Sequence, residues 1–107
     1  MKLKIQWWSL GMAAILASGC GNSDINKARD ELRKTLNDGE SAKFQNERVL
    51  YMPPSREKVV CGEFNAKNLM GAYTGFHPYV VQSIDLSPSA KYQDESYVNV
   101  TCSLAKP

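Results

Sequence analysis

Histidine and cysteine are scarce in this sequence, and their scarcity excludes several kinds of site. His77 is the only histidine, and no cysteine stands near it with the spacing of a zinc site, so the sequence predicts no metal. Gly71 and Gly75 are not followed by the Lys-Ser or Lys-Thr pair of a phosphate-binding loop. The one conceivable nucleophile pair, Cys61 with His77, is disfavoured if Cys61 forms a disulfide. We therefore expect neither an enzyme nor a bound cofactor.

A long hydrophobic run is also missing. The most apolar stretch, residues 5–17, is shorter than the ~20 residues that a membrane-spanning helix requires. Lys2 and Lys4 precede this stretch, and small residues follow it as far as Cys20. A positive start, a short apolar middle and small residues at the end are typical of an export signal, which we place at residues 1–19.

The segment Leu16-Ala17-Ser18-Gly19-Cys20 resembles a lipobox, the sequence recognised in bacterial lipoprotein precursors. The resemblance implies that Cys20 becomes the lipid-bearing first residue of the mature protein, which its acyl chains hold in a membrane. Gly21 stands where an Asp would favour the inner membrane, so the outer membrane is expected, on its periplasmic face. The alternative is an ordinary secretory signal that happens to end at a cysteine.

The rest of the chain has no excess of charge of either sign. Lys2 and Lys4 precede Cys20, so residues 20–107 carry 11 basic and 11 acidic residues. This balance is unlike the basic surface of a nucleic-acid-binding domain, and we expect no nucleic-acid partner. A chain of this length suits one domain, which we place at 26–107 after a lipidated tether at 20–25.

Cys61 and Cys102 are the two cysteines that remain once Cys20 is assigned to the lipid. The bacterial periplasm is oxidising, so we expect a disulfide between them. In the loop-entropy model a disulfide that closes a loop of this length contributes roughly 4 kcal/mol of stability. A domain this short benefits from such a cross-link because its core is small.

One helix is predicted at the start of the mature chain. Ala28 and Leu32 recur at helical spacing among charged residues, which predicts an amphipathic helix over residues 25–37. Asp38-Gly39 follows, and glycine suits the residue that ends a helix. Its narrow apolar stripe indicates that the helix packs on another element rather than standing alone.

Four extended segments follow the helix. We predict strands over the ranges 44–52, 58–65, 78–86 and 96–104. In the second of these, alternation places Val60 and Phe64 on the face opposite Cys61. Asn65 and Asn68, in the turn that follows, are expected to bond the turn backbone rather than a ligand. The sequence therefore predicts an α+β domain, one helix packed on a small antiparallel sheet, with the disulfide between two strands.

A second resemblance rests on a central group of short motifs. These motifs are Ser41-Ala42-Lys43-Phe44, Cys61-Gly62-Glu63, Asn65-Ala66-Lys67-Asn68 and Gly75-Phe76. They resemble the shared core of a family of short exported proteins of bacteria and prophages, in which a Cys-Gly-Glu-x-Asn-Ala-Lys-Asn motif precedes Tyr-x-Gly-Phe. The resemblance covers residues 38–79, about half of the mature chain. It implies a shared fold unit and no particular activity.

The segment after the second predicted strand is rich in aromatic residues. Gly71 and Gly75 permit positive φ angles on either side of Tyr73. The candidate partner-binding residues here are Tyr73, Phe76, His77 and Tyr79. Tyrosine is a frequent anchor at protein interfaces, so one hypothesis is a rigid loop that contacts a partner. The alternative is a loop that folds its aromatics onto a thin core; we expect this for Phe76, and a surface position for Tyr73.

Two binding functions fit these features. The first is an accessory or inhibitor module of the cell envelope, tethered by its lipid and occupying the surface of another envelope protein. Prophage exclusion lipoproteins and inhibitors of lytic enzymes are of this kind. The second is a structural subunit docked on an outer-membrane or secretion assembly. Neighbouring genes for phage morphogenesis or lysis favour the first function, and an assembly operon favours the second.

Overall fold

The computed structural model describes residues 20–107, which form an α+β domain. The predicted export signal, residues 1–19, lies outside the described residues. The elements in chain order are helix α1 (Cys20–Arg33), a 3-10 helix (Gly39–Ser41), strands β1 (Lys43–Met52), β2 (Glu57–Asn65), β3 (His77–Gln82) and β4 (Ser89–Lys91), and helix α2 (Glu95–Leu104). The predicted fold class is confirmed. Within residues 20–107, neither helix has the length and hydrophobicity needed to cross a bilayer.

The four strands form one antiparallel sheet in which every strand pairs with its neighbour in the sequence. The register of β1 against β2 changes between Gln45 and Arg48. Asn46 and Glu47 therefore stand opposite Gly62 alone, which is a β-bulge. Asn46 has a φ angle of 55° at this point, the left-handed conformation that a bulge permits.

Strand β2 is the centre of the core because both of its faces are covered. On one face, Val60 and Phe64 belong to a buried cluster that also contains Ala28, Leu32, Tyr79, Val81 and Ile84. On the other face, Val59 and Cys61 belong to a cluster with Leu50, Val80, Val98 and Ala105. The alternation predicted for this strand is confirmed, since the two clusters take alternate residues.

The prediction of a strand over 96–104 was wrong, because this segment forms α2. Asp94 caps the helix, since its side chain accepts a hydrogen bond of 3.2 Å from the Tyr97 backbone N–H. The buried residues are Val98, Thr101 and Ala105, a helical spacing, whereas Val100 and Leu104 are exposed. The alternation of apolar residues that favoured a strand is thus coincidental, and Asp94 caps the helix that forms instead.

The fourth strand of the sheet is Ser89–Lys91, which lies between the third and fourth predicted strands. It pairs with the end of β3, with Ala90 opposite Val81. The third strand is shorter than its predicted range of 78–86, because Ser83 adopts a φ angle of 55° and turns the chain. Strand β4 is one of the two edge strands of the sheet, and it is short and polar, as protected sheet edges often are.

Helix α1 begins and ends earlier than predicted. It starts at Cys20 and so includes the residues assigned to a tether at 20–25. It ends at Arg33, after which the Thr35 hydroxyl donates a hydrogen bond of 2.7 Å to the Leu32 carbonyl. Gly39 returns close to this end, and a Cβ atom there would lie 2.5 Å from the Arg33 carbonyl oxygen. Only glycine fits at this position without movement of the backbone.

Cys61 and Cys102 form the predicted disulfide, with their Cα atoms 6.1 Å apart. The elements that it joins differ from the prediction. Cys61 lies in β2 as expected, but Cys102 lies in α2, so the bond fastens a helix to the sheet rather than one strand to another.

Candidate functional site

The β2–β3 loop, residues 66–76, has a tip that Asn68 organises. The Asn68 side-chain oxygen accepts hydrogen bonds from the backbone N–H groups of Met70 (2.9 Å) and Ala72 (3.2 Å). The Asn68 N–H donates to the Ala72 carbonyl and its carbonyl accepts from the Gly71 N–H, both at 2.9 Å. These four bonds close a tight turn, in which Gly71 has a φ angle of 78°.

The base of this loop is fastened to the 3-10 helix and to the end of β2. Ser41 accepts two hydrogen bonds from the loop. Its hydroxyl oxygen accepts one from the Lys67 N–H (2.9 Å), and its carbonyl oxygen accepts one from the Tyr73 hydroxyl (2.9 Å). The Asn65 side chain accepts a bond of 3.2 Å from the Gly75 N–H, and Gly75 has a φ angle of 103°. The predicted roles of both asparagines and both glycines are confirmed, and the loop is held at several points.

The loop presents apolar side chains to solvent. Leu69 and Met70 are 85% and 88% exposed at its tip, and Tyr73 and Phe76 are about 40% exposed nearer its base. The Lys43 ammonium lies 4.7 Å from the centre of the Tyr73 ring, and that of Lys67 lies 5.8 Å away, distances typical of cation–π contacts. Leu69 and Met70 were not among the predicted site residues, although two large apolar residues just before the glycine of a tight turn are a signal for an exposed tip.

The four candidate partner-binding residues do not share one environment. Tyr73 is at the surface, as expected, while the expectation that Phe76 packs into the core was wrong because 40% of it is exposed. His77 is half-buried as the first residue of β3. Tyr79 is fully buried, with its ring edge-on to those of Phe44 and Phe64. Tyr79 is therefore a core residue and is not accessible to a partner.

Tyr79 belongs to a polar group that also contains the buried Glu47 carboxylate and the partly exposed Arg29 guanidinium. The Tyr79 hydroxyl donates a hydrogen bond of 2.9 Å to Glu47 Oε2, and Arg29 Nε donates one of 2.8 Å to the same oxygen. A second Arg29 nitrogen donates to Glu47 Oε1, which completes a bidentate pair. Burial, with the Glu47 charge beside it, raises the pKa of the Tyr79 hydroxyl well above its ordinary value. Both carboxylate oxygens of Glu47 and the Tyr79 hydroxyl have their partners within this group, so we assign these contacts to the core, with Arg29 at its edge.

His77 connects the loop to the start of α2. Its Nε2 atom lies 3.0 Å from the Thr74 hydroxyl oxygen, and its Nδ1 atom lies 3.4 Å from a Glu95 carboxylate oxygen. The order hydroxyl, imidazole, carboxylate matches that of a nucleophile and its base, but Thr74 and Glu95 are exposed, His77 is only half-buried, and the contact between His77 and Glu95 is long. A cavity of about 310 Å³ lies beside them. Among residues 20–107 there is no group of three metal-ligating side chains.

The loop lies at one end of the sheet, and the start of α1 lies at the other. Lys58, at the start of β2, donates to Asp24 of α1 (3.2 Å) and to Asp85 (3.4 Å). The hydrogen bond to Asp24 is the largest of the effects that raise the Lys58 pKa. We call this the hairpin end: it comprises the start of α1, the turn at 53–56 and the turn at 83–88. The opposite end, with the 3-10 helix and residues 66–76, is the loop end.

The fold defines a small α+β domain with a disulfide and one prominent, well-fixed loop. Comparison with protein-family models, curated proteins and solved structures found no match. The two resemblances noted in the sequence, to lipoprotein precursors and to small exported proteins, stay predictions.

Proposed function

We propose that this protein is a lipid-anchored binding module of the bacterial cell envelope, and that the β2–β3 loop contacts its protein partner. The observation that carries the proposal is the pairing of rigidity with exposure in this loop. Its backbone is fixed through Ser41, Asn65 and Asn68, while Leu69 and Met70 stand almost fully in solvent. A single exposed leucine is ordinary in a soluble domain, but a contiguous apolar tip with aromatic residues at its base favours an interface.

Rigidity matters because binding costs the entropy of the groups that become ordered. A loop that is already held in one conformation loses less on binding than a mobile one, so more of its contact energy appears as affinity. Two lysines at the base of the loop, Lys43 and Lys67, add positive charge beside the Tyr73 ring. The partner that fits is therefore a protein with an apolar socket and acidic groups at its rim.

The position of the loop supports a partner on the side of the domain opposite the start of α1. Helix α1 has 14 residues and rises by about 20 Å between the hairpin end and the loop end. If Cys20 carries acyl chains, the loop points away from the anchoring membrane, toward a partner in the periplasm. An accessory or inhibitor protein of the prophage type fits this arrangement, since such a protein must reach the surface of another envelope protein away from the membrane that anchors it.

The test is a double substitution at the tip, Leu69→Ser with Met70→Ser, in the full-length protein carrying a tag after Pro107. The tag lies at the hairpin end, because the Lys106 backbone pairs with Tyr51 there, and so it leaves the loop open. Since both side chains are exposed, the melting temperature should not change. The protein that co-purifies from detergent extracts should be lost, because interface anchors contribute ~2 kcal/mol or more, roughly thirty-fold in affinity.

The matched control is Leu86→Ser, which removes an equally exposed leucine from the hairpin end. It should retain the partner. If the doubly substituted protein still binds the same partner as strongly as the wild type, the loop is not the interface and the proposal is wrong.

A further inference from the structure

We propose that the hairpin end lies directly on the lipid surface, with Leu86 inserted into the membrane interface beside the acyl chains of Cys20. The proposal rests on the lipid anchor of the proposed function, and it adds a second membrane contact that sets the orientation of the domain.

The first step is the distance between the anchor and the folded domain. Helix α1 begins at Cys20, so no extended linker separates the predicted acylation site from the domain. Asp24 is one helical turn further, about 6 Å along the axis. Its carboxylate is bound by Lys58, which also binds Asp85. The turn at 83–88 is therefore held close to the start of the helix that carries the acyl chains.

The second step is the side chain that this turn presents. Leu86 is 91% exposed, the highest value among the large apolar residues at the hairpin end. Its position is fixed, because its N–H donates to the Ser83 carbonyl at 3.1 Å and Ile84, two residues earlier, is buried in the core. A leucine that is exposed on a fixed turn, at the same end of the domain as the start of α1, suits insertion into the boundary between headgroups and acyl chains.

The third step is the charge around Leu86. A cavity of about 380 Å³ between the two turns is lined by Leu86 and by four charged residues, Arg56, Glu57, Lys58 and Asp85. Glu57 accepts a hydrogen bond of 3.3 Å from the Ser83 hydroxyl. Lys58 is neutralised by Asp24 and Asp85, whereas Arg56 has no carboxylate partner among the described residues and stacks 5.4 Å from the Tyr51 ring centre. An arginine beside an exposed leucine suits a phospholipid surface. The guanidinium can bind lipid phosphates, while the leucine enters the boundary between headgroups and acyl chains.

Tryptophan fluorescence in the lipidated protein tests this placement. The chain has two tryptophans, Trp7 and Trp8, both in the predicted export signal. Once the signal is removed, an introduced tryptophan is the only source of tryptophan emission. Leu86→Trp and the matched control Leu69→Trp, at the loop end, are each expressed as the full-length precursor. The processed proteins are reconstituted into phosphatidylethanolamine and phosphatidylglycerol vesicles, with and without brominated acyl chains.

We expect the Leu86→Trp emission to shift to the blue and to be quenched by brominated lipid, roughly twofold or more beyond the Leu69→Trp emission. Adding Arg56→Glu to Leu86→Trp should reduce this quenching. Equal emission of Leu86→Trp in brominated and unbrominated vesicles would overturn the inference, as would stronger quenching of Leu69→Trp. Acyl labelling of the same samples separates the two proposals: unlabelled protein refutes the anchor itself, while labelled protein without quenching refutes only the contact at Leu86.

Discussion

At the residue scale, Glu47 shows how one irregularity in a strand builds part of the core. The β-bulge turns its carboxylate toward α1, where it is only 6% exposed and binds Arg29 and Tyr79. Gly62 makes this possible, because a Cβ atom there would lie 2.9 Å from Glu47 Cγ and 3.0 Å from Tyr79 Cε1. A buried carboxylate is tolerated only when it is paired and hydrogen-bonded, and here both oxygens have partners.

Tyr79→Phe should change how stability depends on alkaline pH. Burial raises the pKa of Tyr79, so the folded chain keeps the phenolic proton at pH values where the unfolded chain loses it. The contribution of this group is therefore complete below about pH 10 and is lost above it, at about 1.4 kcal/mol per pH unit. The free energy of unfolding of Tyr79→Phe should not show this decrease at alkaline pH. At neutral pH it should be about 1 kcal/mol lower than that of the wild type, because the hydrogen bond of the hydroxyl is missing.

Urea unfolding of both proteins between pH 8 and pH 11 measures this difference. Because the two proteins differ only in this hydroxyl, the difference between their curves reports on Tyr79 alone. Parallel pH curves for wild type and variant would show that the Tyr79 hydroxyl is not shielded as described.

At the scale of elements, α2 depends on the sheet for its stability. A helix of 10 residues is marginal in water by itself. It buries Val98 and Thr101 and is fastened to β2 through Cys102, while its outer face, with Val100 and Leu104, is exposed. The disulfide therefore supports a helix whose buried residues are only Val98 and Thr101.

Replacing both cysteines, Cys61→Ala with Cys102→Ala, should lower the free energy of unfolding by about 4 kcal/mol, because the closed loop of the unfolded chain is released. Urea unfolding measures the loss. The control Val100→Ala, on the exposed side of α2, should change stability by less than about 0.5 kcal/mol. Mass spectrometry of unreduced peptides should show the cross-link in exported protein; two freely alkylated thiols there would contradict it.

At the scale of the whole molecule, the domain has two ends with different chemistry. The hairpin end contains the start of α1 and the exposed Leu86. The C-terminal segment also lies there, since the backbone of Lys106 pairs with that of Tyr51. The loop end carries Leu69 and Met70 on a turn that several hydrogen bonds hold. This division assigns attachment to one end and recognition to the other in the function we propose.

Cys20→Ser should abolish acyl labelling and move the protein from the membrane fraction to the soluble periplasm, because a serine hydroxyl cannot take the place of the thiol that bears the lipid. Radiolabelled fatty acid and membrane fractionation measure the two effects. Cys20→Ser protein that still sediments with membranes and carries label would show that the lipobox-like segment is not the anchor.

Several features of this protein follow from the sequence alone because they depend on neighbours in the chain. The alternation of Val59, Val60 and Cys61 determines which residues of β2 share a face, since side chains of a strand point to opposite sides in turn. Likewise, the conformations of Gly71 and Gly75 and the bonding of Asn68 are local, and the sequence was sufficient to predict them.

The tertiary structure alone decided the features that join distant segments. Val98 and Cys102 fit both an alternating strand and a helix, and the choice is made by packing against Val59 and Val80 across the sheet. Glu47 lies 18 residues from Arg29 and 32 from Tyr79, so no local pattern indicates that a carboxylate in an exposed-looking strand turns inward. The burial of Tyr79 has the same origin, because a side chain is buried by whatever the rest of the chain places over it.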